Sequence, residues 1–226
     1  MTAEPLDNAV WHAVHGPWRA LAEFRPAAAR FIPDVSLFAA LPDEPDDAAW
    51  ADLATLVGPD GVGLLFRRHV DVPPAWKVEM HLPGVQMVAD GAKPRGDERL
   101  VPLGPEHVEE MLALVAATRP GPFGARTVEF GGYLGYRVDG RLVAMAGERL
   151  STGDHTEISA VCTLPEYRGR GLGSALVIAV VDGIRSRGGE AMLHAATTNT
   201  TAIRLYEELG FVTRCEIVAT LVRAPS

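Results

Sequence analysis

The run Glu157-Ile158-Ser159-Ala160-Val161-Cys162-Thr163-Leu164-Pro165-Glu166-Tyr167-Arg168-Gly169-Arg170-Gly171-Leu172-Gly173-Ser174 reads as a strand, a proline-marked bend and a glycine-rich turn that opens into a helix. Downstream, Leu172, Ala175, Leu176, Ala179, Val180 and Ile184 recur at spacings of three and four, the period of an amphipathic helix packed on a sheet. The glycines therefore lie at a helix N-terminus. The first N–H groups there have no intrahelical partner and carry about half a positive charge, and glycine lets an anion approach that backbone closely.

Three phosphate-binding patterns compete for these residues. A P-loop requires a lysine after its last glycine, and none follows Gly173. A dinucleotide fingerprint requires G-x-G-x-x-G directly after its strand, whereas here the glycines are spaced G-x-G-x-G and Leu164 to Arg168 intervene. The pattern that fits is Arg/Gln-x-x-Gly-x-Gly/Ala, read as Arg168-Gly169-Arg170-Gly171-Leu172-Gly173. It resembles the acyl-coenzyme A pyrophosphate loop of the GNAT N-acetyltransferase superfamily; a glycine-rich helix start with no ligand is the alternative. A second segment, Asn199-Thr200-Thr201-Ala202-Ile203-Arg204-Leu205-Tyr206-Glu207-Glu208-Leu209-Gly210-Phe211, is similar to the superfamily's N-x-x-A-x-x-L/F-Y-x-x-x-G-F motif. The resemblance covers about residues 97–226. The first half resembles, in arrangement only, the degenerate first half of two-domain glycine N-acyltransferase-like members.

The 226 residues suffice for one large or two small domains, and 47% hydrophobic composition supplies a core for either. No apolar run approaches the roughly 20 residues needed to cross a bilayer, and Met1-Thr2-Ala3-Glu4-Pro5 does not open a secretory leader, so a cytoplasmic location is expected. Cys162 and Cys215 make no disulfide framework, and no C-x-x-C or H-E-x-x-H spacing suggests a metal. Net charge is −8 without a basic cluster, which argues against nucleic acid and anionic membranes and would suit a cationic amine.

In chain order, helices are expected over Asp7 to Trp18 and Asp46 to Val57, and a proline-interrupted strand over Phe31 to Phe38. Strand-like runs follow at Val62 to Phe66 and Val85 to Val88, with turns at Val72 to Ala75 and Leu82-Pro83-Gly84. Gly91 to Asp97 reads as a linker, dividing an N-terminal α/β half, 1–92, from a GNAT-like domain, 97–226. The second half then reads as strand, helix (Glu106 to Ala117), hairpin about Asp139-Gly140, and strand over Glu157 to Thr163. The glycine-led helix, a strand at Ala191 to Ala195, a helix over Asn199 to Glu208 and a strand over Glu216 to Val222 complete it. Pro120 to Gly124 cannot form a regular helix, although the family has a helical substrate lid near this point. The fold class is α/β: a mixed sheet flanked by helices, with the GNAT fold in the second half and a smaller, motif-poor α/β first half.

The resemblance implies an N-acyltransferase that moves an acetyl group from acetyl-coenzyme A to a primary amine by direct transfer in a ternary complex. It implies cofactor contacts from Val161, Thr163, Arg168, Gly169, Arg170, Gly171, Leu172, Gly173, Ser174 and Asn199, with the Val161 N–H facing the oxyanion. Arg168 and Arg170 read equally well as solvated surface arginines. Tyr206 corresponds to the residue that protonates the leaving thiolate in many members; packing beside Ile203 and Leu209 is its alternative. Glu157 stands at the offset of the catalytic glutamate in some histone-type members, and equally at a polar position of an alternating strand. His194 and Glu129 are weaker candidates for the base, and Cys162 reads as a small hydrophobe rather than a nucleophile. The partners expected are acyl-coenzyme A and a small-molecule amine, with no nucleic acid or membrane and with a homodimer left open. A non-catalytic acyl-coenzyme A sensor is the rival reading.

Overall fold

A computed structural model describes residues 4–91 and 99–226. Most of the expected linker, residues 92–97, lies outside the described residues. The chain forms helices α1 (Ala9–His15), α2 (Asp47–Val57), α3 (Val108–Thr118), α4 (Leu172–Ser186) and α5 (Thr200–Glu208). Strands β1 (Ala22–Arg25), β2 (Ala28–Phe31) and β3 (Ala39–Ala40) make a small antiparallel sheet. The remaining strands are β4 (Val62–Arg67), β5 (Lys77–Ala89), β6 (Leu100–Pro102), β7 (Leu134–Val138), β8 (Arg141–Ser151), β9 (His155–Thr163), β10 (Glu190–Ala196) and β11 (Phe211–Arg223). They form one mixed sheet in the order β4-β11-β5-β10-β9-β8-β7-β6, in which only the β9–β10 pair is parallel.

Local chemistry explains the elements that frame the site. The Asp46 carboxylate accepts the Ala49 N–H at 2.9 Å and starts α2, and Gly58 at φ 79° ends it. Asp139 and Gly140 both take positive φ, 50° and 80°, which is the turn geometry that matches strand twist between β7 and β8. Leu142 to Ala146 are all buried because β8 is covered on both faces, α1, α3 and α4 all packing against it. Helix α4 buries Leu172, Leu176, Val177, Ile178, Val180, Val181 and Ile184. At about 1.5–3 kcal/mol per large apolar side chain, this stripe dominates the seating of the glycine turn that precedes it.

Three expectations need correction. The N-terminal helix is shorter than Asp7 to Trp18, because Pro5–Asn8 is a 3-10 turn and α1 ends at His15. Phe31 to Phe38 is not a strand; β2 ends at Phe31, before Pro33, and pairs back onto β1. Leu82-Pro83-Gly84 is not a turn but the middle of β5, a thirteen-residue strand. Proline is tolerated there because the β10 ladder covers β5 only from Gly84 to Val88, so the β10 edge asks Pro83 for no N–H, while its carbonyl accepts the Thr197 N–H at 3.0 Å. The two halves of the chain share this sheet: β4 and β5 from the first half bracket β11, and β5 also ladders to β10.

Candidate functional site

The parallel pairing of β9 with β10 covers His155 to Ile158 against Glu190 to Leu193 and then stops, although β9 runs on to Thr163 and β10 to Ala196. Ala160 lies in the left-handed region at φ 54°, and the β8–β9 register shifts between Met145/Cys162 and Gly147/Ser159. A non-glycine residue at such φ costs on the order of 1 kcal/mol and bends the strand as a bulge does. The splayed strands open a cavity of about 1010 Å³, lined on the β9 side by Ser159 to Thr163 and on the β10 side by His194 to Ala196.

At one end of β9, the Leu164 N–H donates to the Val143 carbonyl at 2.9 Å, and Pro165–Tyr167 turns as a 3-10 helix. Gly169 and Gly171 take φ 73° and 77°, and Gly171 caps α4 with no side-chain hydrogen bond. The first helical bond is Ala175 N–H to the Gly171 carbonyl, 3.0 Å, so the N–H groups of Leu172, Gly173 and Ser174 precede the intrahelical ladder. A Cβ at Gly169, Gly171 or Gly173 would meet nothing within 4 Å, leaving the backbone open to a close-packed anion. The residues present thus fit a pyrophosphate. Arg168 Nε donates to the Thr163 carbonyl at 3.2 Å, and Arg170 Nη2 to the Glu166 carbonyl at 3.2 Å with its guanidinium over Tyr167. Both side chains are exposed, and neither forms an ion pair among the described residues.

Of the residues singled out in the sequence, Val161, Thr163, Arg168, Gly173, Asn199 and Tyr206 line the cavity. Asn199 is the N-cap of α5, its Oδ1 accepting the Ala202 N–H at 3.2 Å, which fixes its side chain. Tyr206 is 8% exposed, 6.0 Å from the Phe211 ring, and burial pushes its hydroxyl up to about 12. It is therefore protonated, and a donor, throughout the neutral range. Leu172 is buried and offers only its backbone. Gly169, Arg170, Gly171 and Ser174 belong to the turn and not to the cavity wall.

Glu157 behaves differently from the expected base. Its carboxylate is completely buried and does not line the cavity, whereas its partners Arg149 and His194 do. Arg149 Nε donates to Oε2 at 2.9 Å, Arg149 Nη2 donates to Oε1, and His194 Nδ1 lies 2.8 Å from Oε1. Burial raises the carboxyl pKa, but Arg149 and His194 outweigh it and hold it at about 2. A group with that pKa and with both oxygens engaged has little tendency to take a proton from an ammonium. Glu129 is exposed, bridged to Arg126, and away from the cavity. Cys162 is buried and burial pushes its thiol up, as suits a packing residue.

Two contributors escape sequence reasoning. Arg149 lies in a strand of otherwise core residues, stacks on Phe38 with its Cζ 4.7 Å from the ring centroid, and faces the cavity. Gln86 on β5 fixes the His194 ring: its Nε2 lies 3.0 Å from His194 Nε2, while its Oε1 accepts from Arg214 Nη1 at 2.9 Å. Their only sequence signal is a polar residue interrupting an apolar run.

Comparison with known proteins gives concordant matches. Residues 133–219 match the family model described as FR47-like protein. Mycothiol acetyltransferase from Thermobispora bispora is 50% identical over 56 residues, 24% of this chain and 19% of that protein. The Acidimicrobium ferrooxidans mycothiol acetyltransferase is 36% identical over 100 residues, 42% of this chain and 32% of that one. The matched portion of the chain thus spans a third or less of these curated relatives. A crystal structure described as a putative acetyltransferase from the GNAT family, from Novosphingobium aromaticivorans, superposes with a TM-score of 0.90. It is 40% identical, and the match covers 99% of this chain and 100% of that one. These matches carry the superfamily and not the glycine N-acyltransferase-like branch. With a relative this similar over its whole length, and with the splayed strand and glycine turn in place, the chain belongs to the GNAT family.

Proposed function

We propose that the protein transfers an acyl group, acetyl first among them, from acyl-coenzyme A to a primary amine by direct attack in a ternary complex. The observation that carries this reading is the conjunction of the splayed β9–β10 gap with the open glycine turn. The gap leaves strand backbone facing a cavity, and the turn offers bare N–H groups at its end. Family membership and the printed names of the relatives support acyl transfer.

The thioester brings an activated acyl carbon, and the chain's own groups do the rest. N–H groups of Gly169 to Ser174, with Arg168 and Arg170, hold the pyrophosphate. The Val161 N–H, on the bulged stretch, faces the oxyanion. The Tyr206 hydroxyl, kept protonated by its burial, donates to the departing thiolate. Glu157 serves to hold Arg149 and His194 in place rather than to remove a proton. The N-terminal half supplies Phe38, Leu64, Phe66, Met80 and Leu82 to the cavity, and this wall forms the acceptor end. Purified protein given acetyl-coenzyme A and a broad amine panel should release thiol only when an amine is added. Binding of coenzyme A without amine-dependent thiol release would instead establish a sensor.

A further inference from the structure

The acceptor end is walled by apolar side chains, Phe38, Phe66, Met80 and Leu82 among them. Among the described residues lining the cavity, Glu208 is the one carboxylic acid, and it is exposed at the end of α5. Besides Arg168, assigned above to the pyrophosphate, two exposed arginines, Arg119 and Arg204, line the same cavity, and neither forms an ion pair with a described residue. The charge of Arg149 is matched by Glu157. Although the chain carries −8 overall, its cavity is electropositive. A polyvalent cation would meet repulsion there, and a second ammonium on that wall would find no counter-charge.

Among the described residues on the cavity wall, the exposed Glu208 carries the one carboxylate, and the histidine there is not free to deprotonate the amine. His194 is the one described histidine on the cavity wall. The amide of Gln86 is oriented by two contacts, Oε1 accepting from Arg214 Nη1 and Nε2 donating to the Leu6 carbonyl, each at 2.9 Å. Its remaining N–H therefore points at His194 Nε2, 3.0 Å away, so that nitrogen is the acceptor and Nδ1–H donates to Glu157. The imidazole lone pair is occupied. An acceptor must then arrive with its own lone pair free.

Resting on the acyl-transfer reading, we propose that the acceptor is a weakly basic monoamine on an apolar body, of the α-amino type, and that lysine side chains and polyamines are discriminated against. At about pH 7.4 an α-amine near 8 is about 20% free base, and a lysine amine near 10.4 about 0.1%, a difference of roughly 200-fold. The test uses the full chain, acetyl-coenzyme A and three acceptors: phenylalanine amide, Nα-acetyl-lysine amide and spermidine. The expected kcat/KM favours phenylalanine amide over the lysine compound by about 100-fold or more. Its pH profile should rise to a plateau at the pKa of whichever amine is used. Leu82→Glu, at a site 39% exposed where a carboxylate stays hydrated, should narrow the phenylalanine amide to spermidine ratio by about tenfold or more. Spermidine or the lysine compound as the preferred acceptor would overturn the inference alone, as would a limb of fixed pKa that ignores the amine. No turnover of phenylalanine amide while other amines of the broad panel are acetylated would overturn the inference alone, whereas coenzyme A binding with no amine-dependent thiol release across that panel would overturn the acyl-transfer reading, and this inference with it.

Discussion

Replacing Glu157 by glutamine separates a structural anion from a catalytic base, since the side chain keeps its shape and loses its charge. In the native protein Oε1 accepts from both Arg149 and His194, and Oε2 accepts from Arg149 Nε. Glutamine has one acceptor oxygen, so its NH₂ must face a donor N–H, and the Arg149 guanidinium, 14% exposed, is left without its counter-ion. Removing one partner of such a buried pair costs about 3–5 kcal/mol. Proton linkage gives a similar figure independently. A carboxyl held at about 2 against roughly 4.3 in the unfolded chain contributes about 3 kcal/mol. Because the folded pKa is the lower one, that contribution is complete above about pH 4.3 and is lost as pH falls toward 2. Denaturant unfolding of Glu157→Gln should therefore show a loss of about 3 kcal/mol at pH 7 that shrinks steadily below pH 4. The acidic limb of the variant's pH–rate profile should match that of the native enzyme. A stability change below about 1 kcal/mol, accompanied by a rate loss of about 100-fold and an altered acidic limb, would refute the assignment and restore Glu157 as the base.

Tyr206→Phe removes only a hydroxyl from a ring packed near Phe211, and should lower kcat by about 10²-fold while coenzyme A affinity, read by calorimetry, is kept; a drop of less than a few-fold would mark the tyrosine as packing. Gly171→Asp puts a side chain at φ 77°, a strain of about 1–2 kcal/mol that aspartate bears better than most residues, at a place where its Cβ meets nothing within 4 Å; it should fold yet lose about 10²-fold or more in coenzyme A affinity, as two charge-assisted hydrogen bonds of about 1.5 kcal/mol each disappear, and unchanged affinity would remove the turn from the site. A fragment spanning 99–226 lacks β4 and β5 and so leaves β11 unpaired and one edge of β10 bare; it should give no cooperative unfolding transition by circular dichroism, and a sharp transition would show that the second half is autonomous.

The legible parts of this chain were those in which local chemistry decides conformation. Gly169 and Gly171 sit at positive φ where the spacing placed a turn, and Asp139-Gly140 makes the hairpin its dipeptide announces. The apolar period of α4 is read directly from its buried stripe. What could not be read depends on distant partners. The proline at 83 speaks for a turn until one knows that β10 leaves β5 at Gly84. Glu157 reads as a plausible base until Arg149, eight positions earlier, and His194, on another strand, are seen to share its oxygens. The bulge at Ala160, on which the oxyanion proposal rests, has no glycine to signal it.

The same long-range pairing explains why the proposed acceptor wall lies in the half of the chain without motifs. Strand β5 holds two places at once: its C-terminal part ladders to both β10 and β11, while Lys77 to Pro83 ladders to β11 alone. Beyond Gly84 the sheet therefore opens on the side of β10 where the β9–β10 gap also opens, and the exposed apolar residues Met80 and Leu82 line the cavity there. On the same strand, Gln86 carries the contact to His194, and through it to Glu157 and Arg149. The wall and the hydrogen-bonded floor are thus set by one strand's register. A one-residue slip of β5 would turn Gln86 away from His194 and point Met87, now completely buried on the opposite face, toward the histidine. If that wall selects the acceptor as proposed, selection and the integrity of the buried ion pair are coupled, and substitutions that loosen β5 should alter amine preference before they alter affinity for coenzyme A.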